Sequence, residues 1–402
     1  MKALILGWVW PEPASSAAGS RILSLIEVLQ YIGYQIHFAS AANKTDYSFE
    51  FSNEVIEHKV NLNDSSFDDW LKELDPKLVL FDRINCEEYF GWRVNKYCPD
   101  AIRVLDCEDL QCLRIAREKA LKKNIEFHYE DLINEPVSLR EIACIRRSDL
   151  SIIISKVEIQ ILQDIFKVHP SKIHYTPLLI ETPKNFKNFE ERSNFVSIGN
   201  FKHPPNLDAV KYLKSNIWPI IRKLKTDAEI DIYGSYCTDK VLQFNDIKNG
   251  FHIHGRANNA IEVISNAKVL LAPIRYGAGQ KGKLLEAMYS GTPSITSSIG
   301  AESMLTDHHW GGFVSNDDQS FAKNAIKLLD SKTEWETAKQ NGLAILKKHF
   351  DKIEHQSQLK HRLSTLNVIE SRANQDFNDK LTIHHSFKNA EFMSKWIEIK
   401  QG

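Results

Sequence analysis

Short aliphatic and β-branched runs alternate along this chain with segments whose apolar positions recur every three or four residues. In the first half, KALILGW, QIHFAS, KLVLFD, AIRVLD and LSIIIS predict strands, with amphipathic helices over 20–31, 68–74 and 131–147. The rhythm breaks near residue 176 at YTPLLIETPKNFKNFEERSN, where two prolines and a charged tail predict a linker over 179–192. Alternation then resumes with NFVSIGN, AEIDIYGS, GFHIHGR, KVLLAPI and TPSITSS, and with helices over 206–223, 258–267 and 281–290. Beyond residue 317 the pattern is helical to about 367, and NAEFMSKWIEIK predicts a closing amphipathic helix.

Strands separated by helices form βαβ units and parallel sheets, so the fold class is α/β. The expected organisation is a first doubly wound, Rossmann-like domain over 1–178, the linker, a second over 193–366, and a tail over 367–402 that packs back on the first domain as a helix. Two such halves face each other across a cleft at the carboxyl ends of their strands, where ligands bind.

The whole-chain composition narrows the function classes. At 402 residues there is material for two cores. Lys and Arg number 51 against 52 Asp and Glu, without the basic excess of a nucleic-acid binder. The cysteines at 86, 98, 107, 112, 144 and 237 form no CxxC pair and read as reduced thiols of a cytoplasmic protein. The opening MKALILGWVWPEP reads as a buried first strand rather than a signal peptide, because its apolar run stops at Pro11. No stretch approaches the roughly 18 uninterrupted apolar residues of a membrane span. A peripheral contact at the inner membrane face stays open through the basic run REKALKKN, residues 117–124, whose plainer reading is a solvated helix face.

The chemistry concentrates in APIRYGAGQKGKLLEAMYSGTPSIT, residues 272–296. A strand, a glycine-rich turn and a helix follow one another, leaving backbone N–H groups free beside the positive end of a helix dipole. Lys281 and Lys283 add formal charge suited to phosphates. The Walker spacing GxxxxGK[ST] is absent, and so is a dinucleotide fingerprint. Glu286, one turn into the helix, is either a clamp for the vicinal diol of a ribose or a helix-surface glutamate.

RYGAGQKGKLLEAMYSGTPSITSSIGAESM and GNFKHPPNLDAVKYLKSNIWPIIR resemble the nucleotide-sugar domain of GT-B glycosyltransferases of the group 1, or family 4, type. PASSAAGSRILSLIEVLQYIGYQIHF is similar to the loop and first helix of their acceptor domain, and RVLDCEDLQCLRIAREKAL to a bacterial subset. The resemblance implies transfer of a sugar from a nucleotide-sugar donor to a hydroxyl-bearing acceptor such as a glycan or lipid-linked glycan. It implies no metal ion or other cofactor, and retention at the anomeric carbon. By the same resemblance Glu286 binds the ribose, Gly277, Gly279, Lys281 and Lys283 cradle the diphosphate, and Lys202 contacts a phosphate. Residue type alone reads Lys202 equally as a turn lysine. Arg256 is placed at the base pocket, against the plainer reading of a surface arginine. Gly19, Ser20 and Arg21 form an acceptor-side loop.

The resemblance breaks at two positions. Its pattern of acid, seven residues, acid has Ala278 at the first place, and Gln111 stands where a histidine is common. Asp106 and Glu108 are candidates to steer the acceptor or stabilise positive charge on the sugar, with Lys283 stabilising the leaving group. Either carboxylate is equally a helix cap, and Asp109 is read as one. A DxD-type metal site at DCED, a metal pair at His308–His309 or His384–His385, and a thiol nucleophile at Cys107 or Cys112 are weaker readings. The departures keep two alternatives in play: a non-catalytic relative that binds nucleotide sugar or glycan, and a nucleotide-sugar epimerase.

Overall fold

The computed structural model describes residues 1–181, 185–305, 309–373 and 375–401. Residues 182–184 of the expected linker and His308 lie outside the described residues.

The first sheet comprises β1 (Lys2–Gly7), β2 (Gln35–Ser40), β3 (Val55–Lys59), β4 (Leu78–Asp82), β5 (Ile102–Asp106), β6 (Leu150–Ile153) and β7 (Ile173–Tyr175). Its order is β3-β2-β1-β4-β5-β6-β7, and every pairing is parallel. The second comprises β8 (Ser193–Ile198), β9 (Ile230–Tyr233), β10 (Phe251–Gly255), β11 (Ala267–Ala272), β12 (Ser294–Thr296) and β13 (Gly312–Val314), also parallel, in the order β10-β9-β8-β11-β12-β13. Helices cover both faces of each sheet, so central strands are buried throughout. Ala3, Leu4, Ile5 and Leu6 are at most 1% exposed, which is why β1 reads as a continuous apolar run. Strand order reverses at β1/β4 and at β8/β11, which places a switch point in each half.

Two helices depart from expectation for reasons visible in the sequence. The segment 131–147 splits into a 3-10 turn, Tyr129–Asn134, and the helix Pro136–Arg147, because Pro136 has no N–H to continue the ladder and starts a new helix instead. The segment 206–223 begins at Pro204 and widens into a π turn over Leu213–Ile217, just ahead of Pro219.

The expected second-domain boundary at 366 is too late. Leu359 and Leu363 of the helix Lys352–Ser364 join Ile22, Leu25 and Leu29 in the first domain's core, because their apolar side covers the helix Ala17–Tyr31. The crossing back lies beside the outward crossing, where Ile180 bridges Asp351. The helix Phe377–Gln401 then packs on the helices Arg83–Tyr97 and Pro136–Arg147, burying Phe387. No helix among the described residues is long and apolar enough to cross a membrane.

Candidate functional site

The loops that follow β1, β4, β5 and β6 face those that follow β8, β9, β10 and β11 across a cavity of about 1150 Å³. The chain therefore encloses space at the carboxyl ends of both sheets, where parallel α/β folds bind ligands.

The second-domain wall is built on the helix Gly282–Tyr289. Gly279, in the turn before it, has φ +63°, a left-handed conformation that glycine adopts without steric cost. Lys281 Nζ folds back onto the carbonyl oxygens of Ala278 (3.0 Å) and Gly279 (2.7 Å). Lys283 Nζ donates to Asn206 Oδ1 at 2.9 Å, in space left by the missing side chain of Gly199, where a Cβ would lie 2.6 Å from that nitrogen. Both ammonium groups keep some accessible surface, yet the cleft walls strip enough water to lower each pKa to about 8. Glu286 also lines the cavity, and its side-chain carboxylate makes no hydrogen bond or ion pair with any described residue. Burial raises its pKa against the opposing pull of Lys283. Lys202, exposed on the rim, sits 3.4 Å above the ring of Tyr236, whose hydroxyl donates to both carboxylate oxygens of Glu12 across the cleft.

Arg256 is not part of the cavity wall. Its guanidinium lies 4.1 Å from the ring centre of Tyr47 in the first domain, so it braces the two halves instead of lining a base pocket.

On the first-domain wall Gly19, Ser20 and Arg21 open the helix Ala17–Tyr31, whose cap Ser16 accepts from Gly19 N. A Cβ on Gly19 would lie 2.4 Å from the carbonyl carbon of Glu12, so glycine here lets the preceding loop fold onto the helix. Arg21 is fixed below it by Asp106, at 2.7 Å from Nη2 to Oδ1, and by the carbonyls of Thr176 and Pro177. Asp106 is 1% exposed and absent from the cavity wall. It therefore does not meet an acceptor, and its carboxylate orients Arg21.

Glu108 does line the cavity, paired with Arg83 at 2.6 Å. The two sit at the ends of β5 and β4 with φ of +56° and +71°, a strained pair of non-glycine residues at the cleft. Burial pushes the Glu108 carboxyl up to about 7 against the pull of Arg83, and Asp82 and Asp106 push the same way.

Asp109 also faces the cavity, but it does not cap the next helix. It pairs with Arg114 at 2.8 Å. The N-terminal amides of that helix, Gln111 and Cys112, are met instead by the buried Glu141, at 2.8 and 2.9 Å. Gln111 lines the cavity as well. Cys107 and Cys112 are buried and their thiols are held far above the ordinary range, which leaves them protonated and inert. Among the described residues no group of three or more His, Cys, Asp or Glu is placed to hold a metal ion.

Sequence reading misses how the first domain grips the loop of the second. Glu158 Oε1 accepts from Gly279 N at 2.6 Å and from Leu110 N at 3.3 Å. Arg117 Nη1 donates to the Gly277 carbonyl at 2.9 Å, and its two terminal nitrogens meet Glu302 at 2.7 Å each. Gln280 Oε1 accepts from Leu178 N at 2.9 Å. Ala278, where the resemblance implies an acid, is 7% exposed and packs into the first domain's core. Arg117 is therefore no part of a solvated basic face, and Lys119 and Lys122 beside it are paired with Glu135 and Glu118. The partners that Glu158, Arg117 and Gln280 find across the cleft lie more than 100 residues away in sequence, so no local signal announces them.

Comparison with known proteins agrees with this geometry. Residues 192–331 match the family model for glycosyl transferases group 1. Over 180 residues the chain is 24% identical to an uncharacterized 44.6 kDa protein in the cps region of Klebsiella pneumoniae, a match spanning 42% of this chain and about half, 46%, of that protein. The fold is similar to sucrose-phosphate synthase from Thermosynechococcus elongatus, with TM-score 0.67 and 13% identity, covering 91% of this chain and 99% of the other. It is equally similar to Anabaena HepE, seen in complex with UDP and glucose, with TM-score 0.67 and 12% identity over 91% and 100%. Staphylococcus aureus TarM, in a complex containing UDP, gives TM-score 0.57 at 14% identity over 74% of this chain and 58% of its own. Two parallel-sheet domains around one cleft give the chain the GT-B fold, and its second domain matches the model for glycosyl transferases group 1.

Proposed function

We propose that the protein transfers a sugar from a nucleotide-sugar donor to a hydroxyl-bearing acceptor, with retention and without a metal ion, in the cytoplasm. The observation that carries this reading is Glu286. A carboxylate held without a protein partner inside a cleft is costly unless a ligand satisfies it, and a ribose diol offers two donors. One turn earlier, Lys283 and the N-terminus of its helix face the same space. As the bond from the anomeric carbon to the diphosphate breaks, negative charge grows on the phosphate oxygens. Lys283, Lys281 and the free amides at that helix end stabilise it in a cleft with little water. Glu108 and Asp109 face the acceptor side, and Glu108 is poised near neutrality to exchange a proton with an acceptor hydroxyl. Because HepE was captured with UDP, uridine donors are the first to test.

One observation favours a second reading. Ala278 brings a methyl group to the place of an expected acid, and the first domain holds it there, as a cleft that binds nucleotide sugar without turning it over would require. Incubation with UDP-, GDP- and dTDP-sugars, with cell-derived acceptors and with or without chelator, separates the readings. Release of nucleotide diphosphate that survives chelator and vanishes in Glu286→Ala supports transfer. Stabilisation by the donor without any turnover supports the non-catalytic binder, and a sugar altered while still attached to its nucleotide supports an epimerase.

A further inference from the structure

The helix Phe377–Gln401 runs along the outside of the first domain for about 37 Å at 1.5 Å per residue. Its inner side is anchored. Asp379, Phe387 and Ser394 are buried, Glu391 pairs with Lys96 at 2.6 Å, Asp379 with Arg146 at 3.0 Å, and Glu398 accepts from Ser65 Oγ at 2.6 Å. Its outer side carries Phe377, Leu381, Phe392, Trp396 and Ile399, which are 77, 42, 70, 53 and 79% exposed. Their spacing of four, eleven, four and three residues places them on one stripe.

Charge is sorted about the same axis. The three acids of the helix, Asp379, Glu391 and Glu398, all face the domain and have partners there. The four lysines, Lys380, Lys388, Lys395 and Lys400, are all exposed, and Lys400 Nζ lies 3.9 Å from the ring centre of Trp396. Lys395 is tied to Glu391 at 2.7 Å, which leaves Lys380, Lys388 and Lys400 as the cations beside an apolar, aromatic stripe, an arrangement complementary to anionic headgroups above acyl chains. A second copy meeting this face would oppose lysines to lysines. We propose that the outer face of this helix docks the protein on an anionic phospholipid bilayer. The inference is independent of the transfer reaction and of the basic run 117–124.

The full chain is sedimented with vesicles of phosphatidylcholine, with and without phosphatidylglycerol. Binding is expected only to the anionic vesicles, and it weakens as salt rises. Phe392→Ser with Trp396→Ser, and separately Lys388→Glu with Lys400→Glu, each lower it by about tenfold or more. These positions are exposed, so circular dichroism and thermal midpoint stay at parental values. As a readout independent of any folding loss, vesicles blue-shift the fluorescence of the parent, and Trp396→Phe removes that shift. Equal binding to both vesicle types, binding unchanged in the variants, or no binding overturns the proposal. So does a concentration-dependent dimer that Phe392→Ser with Trp396→Ser dissolves, which would assign the face to a second copy.

Discussion

Arg117 in the first domain and Glu302 in the second meet through two parallel bonds, Nη1 to Oε2 and Nη2 to Oε1, each of 2.7 Å. Because Nη1 also holds the Gly277 carbonyl, one guanidinium fixes both the closed cleft and the start of the glycine-rich loop 277–283. Arg117→Ala leaves Glu302 without its partner, at a cost of about 3 kcal/mol that falls on the closed arrangement. Donor affinity should drop by roughly 10- to 100-fold in calorimetry, and the radius of gyration from X-ray scattering should rise. Arg117→Lys keeps the charge but not the fork, and should recover only part of the loss. Unchanged scattering and affinity in Arg117→Ala would refute this role.

Glu286 should trade stability for binding. Burial raises its pKa, so as pH rises past the ordinary carboxylate value the unfolded chain releases this proton before the folded one does. The folded state loses stability over that window. Glu286→Gln should melt higher than the parent at pH 7, with the gap closing as pH falls below about 4.5, and bind UDP about tenfold less tightly. Melting curves across pH, with and without UDP, check both halves.

Glu158 carries a pH dependence of the same sign over a wider range. Burial and the neighbouring Asp109 raise its carboxyl to about 8. Folded protein therefore retains a proton that unfolded protein loses above the ordinary value near 4.5, and this contribution to stability declines from there up to about pH 8. Glu158→Gln keeps an acceptor for the Gly279 amide and cannot ionise. The difference in thermal midpoint between variant and parent should grow in the variant's favour from pH 5 to pH 8. A constant difference would show that the carboxyl is ionised throughout.

Gly282 and Ala17 bring the two domains' helix starts together. A Cβ on Gly282 would lie 2.7 Å from that of Ala17. Gly282→Ala should therefore hinder closure and lower turnover about tenfold, while helix propensity favours the new alanine by up to about 1 kcal/mol and keeps the thermal midpoint at or above the parent's. Adding Ala17→Gly moves the methyl group from one side of the contact to the other and should restore turnover. If the double variant is as slow as the single, the contact is not what limits closure.

The sequence announces those parts of the molecule whose physics is local. Central parallel strands are buried on both faces and read as apolar runs, whereas VIEHK of β3 buries only Val55, and β7 and β13 have three residues each. The loop 277–283 is legible because strand, glycines, lysines and helix follow one another in the chain. Glu158 to Gly279, Arg117 to Glu302 and Arg83 to Glu108 span 121, 185 and 25 residues, and only the folded chain brings them together. Asp106 and Arg256 show the converse. Each has a residue type suited to the site, but the partner that claims it, Arg21 or Tyr47, lies in a distant segment.

The return of the chain to the first domain fixes an order of events at the ribosome. The Asp149 side chain is wholly buried against Arg103 and Arg372, and Leu359, Leu363 and Phe387 close apolar surfaces of the half that is translated first. Leu359, Leu363, Arg372 and Phe387 leave the exit tunnel only after the second sheet has been made, since β8 through β13 and the helices to His349 come from one unbroken stretch. The later half can therefore become a finished unit while the earlier half still lacks its last helices. Nascent chains stopped short of residue 352 should leave the amino-terminal half open to chaperones, and emergence of the helices Lys352–Ser364 and Phe377–Gln401 is what releases it.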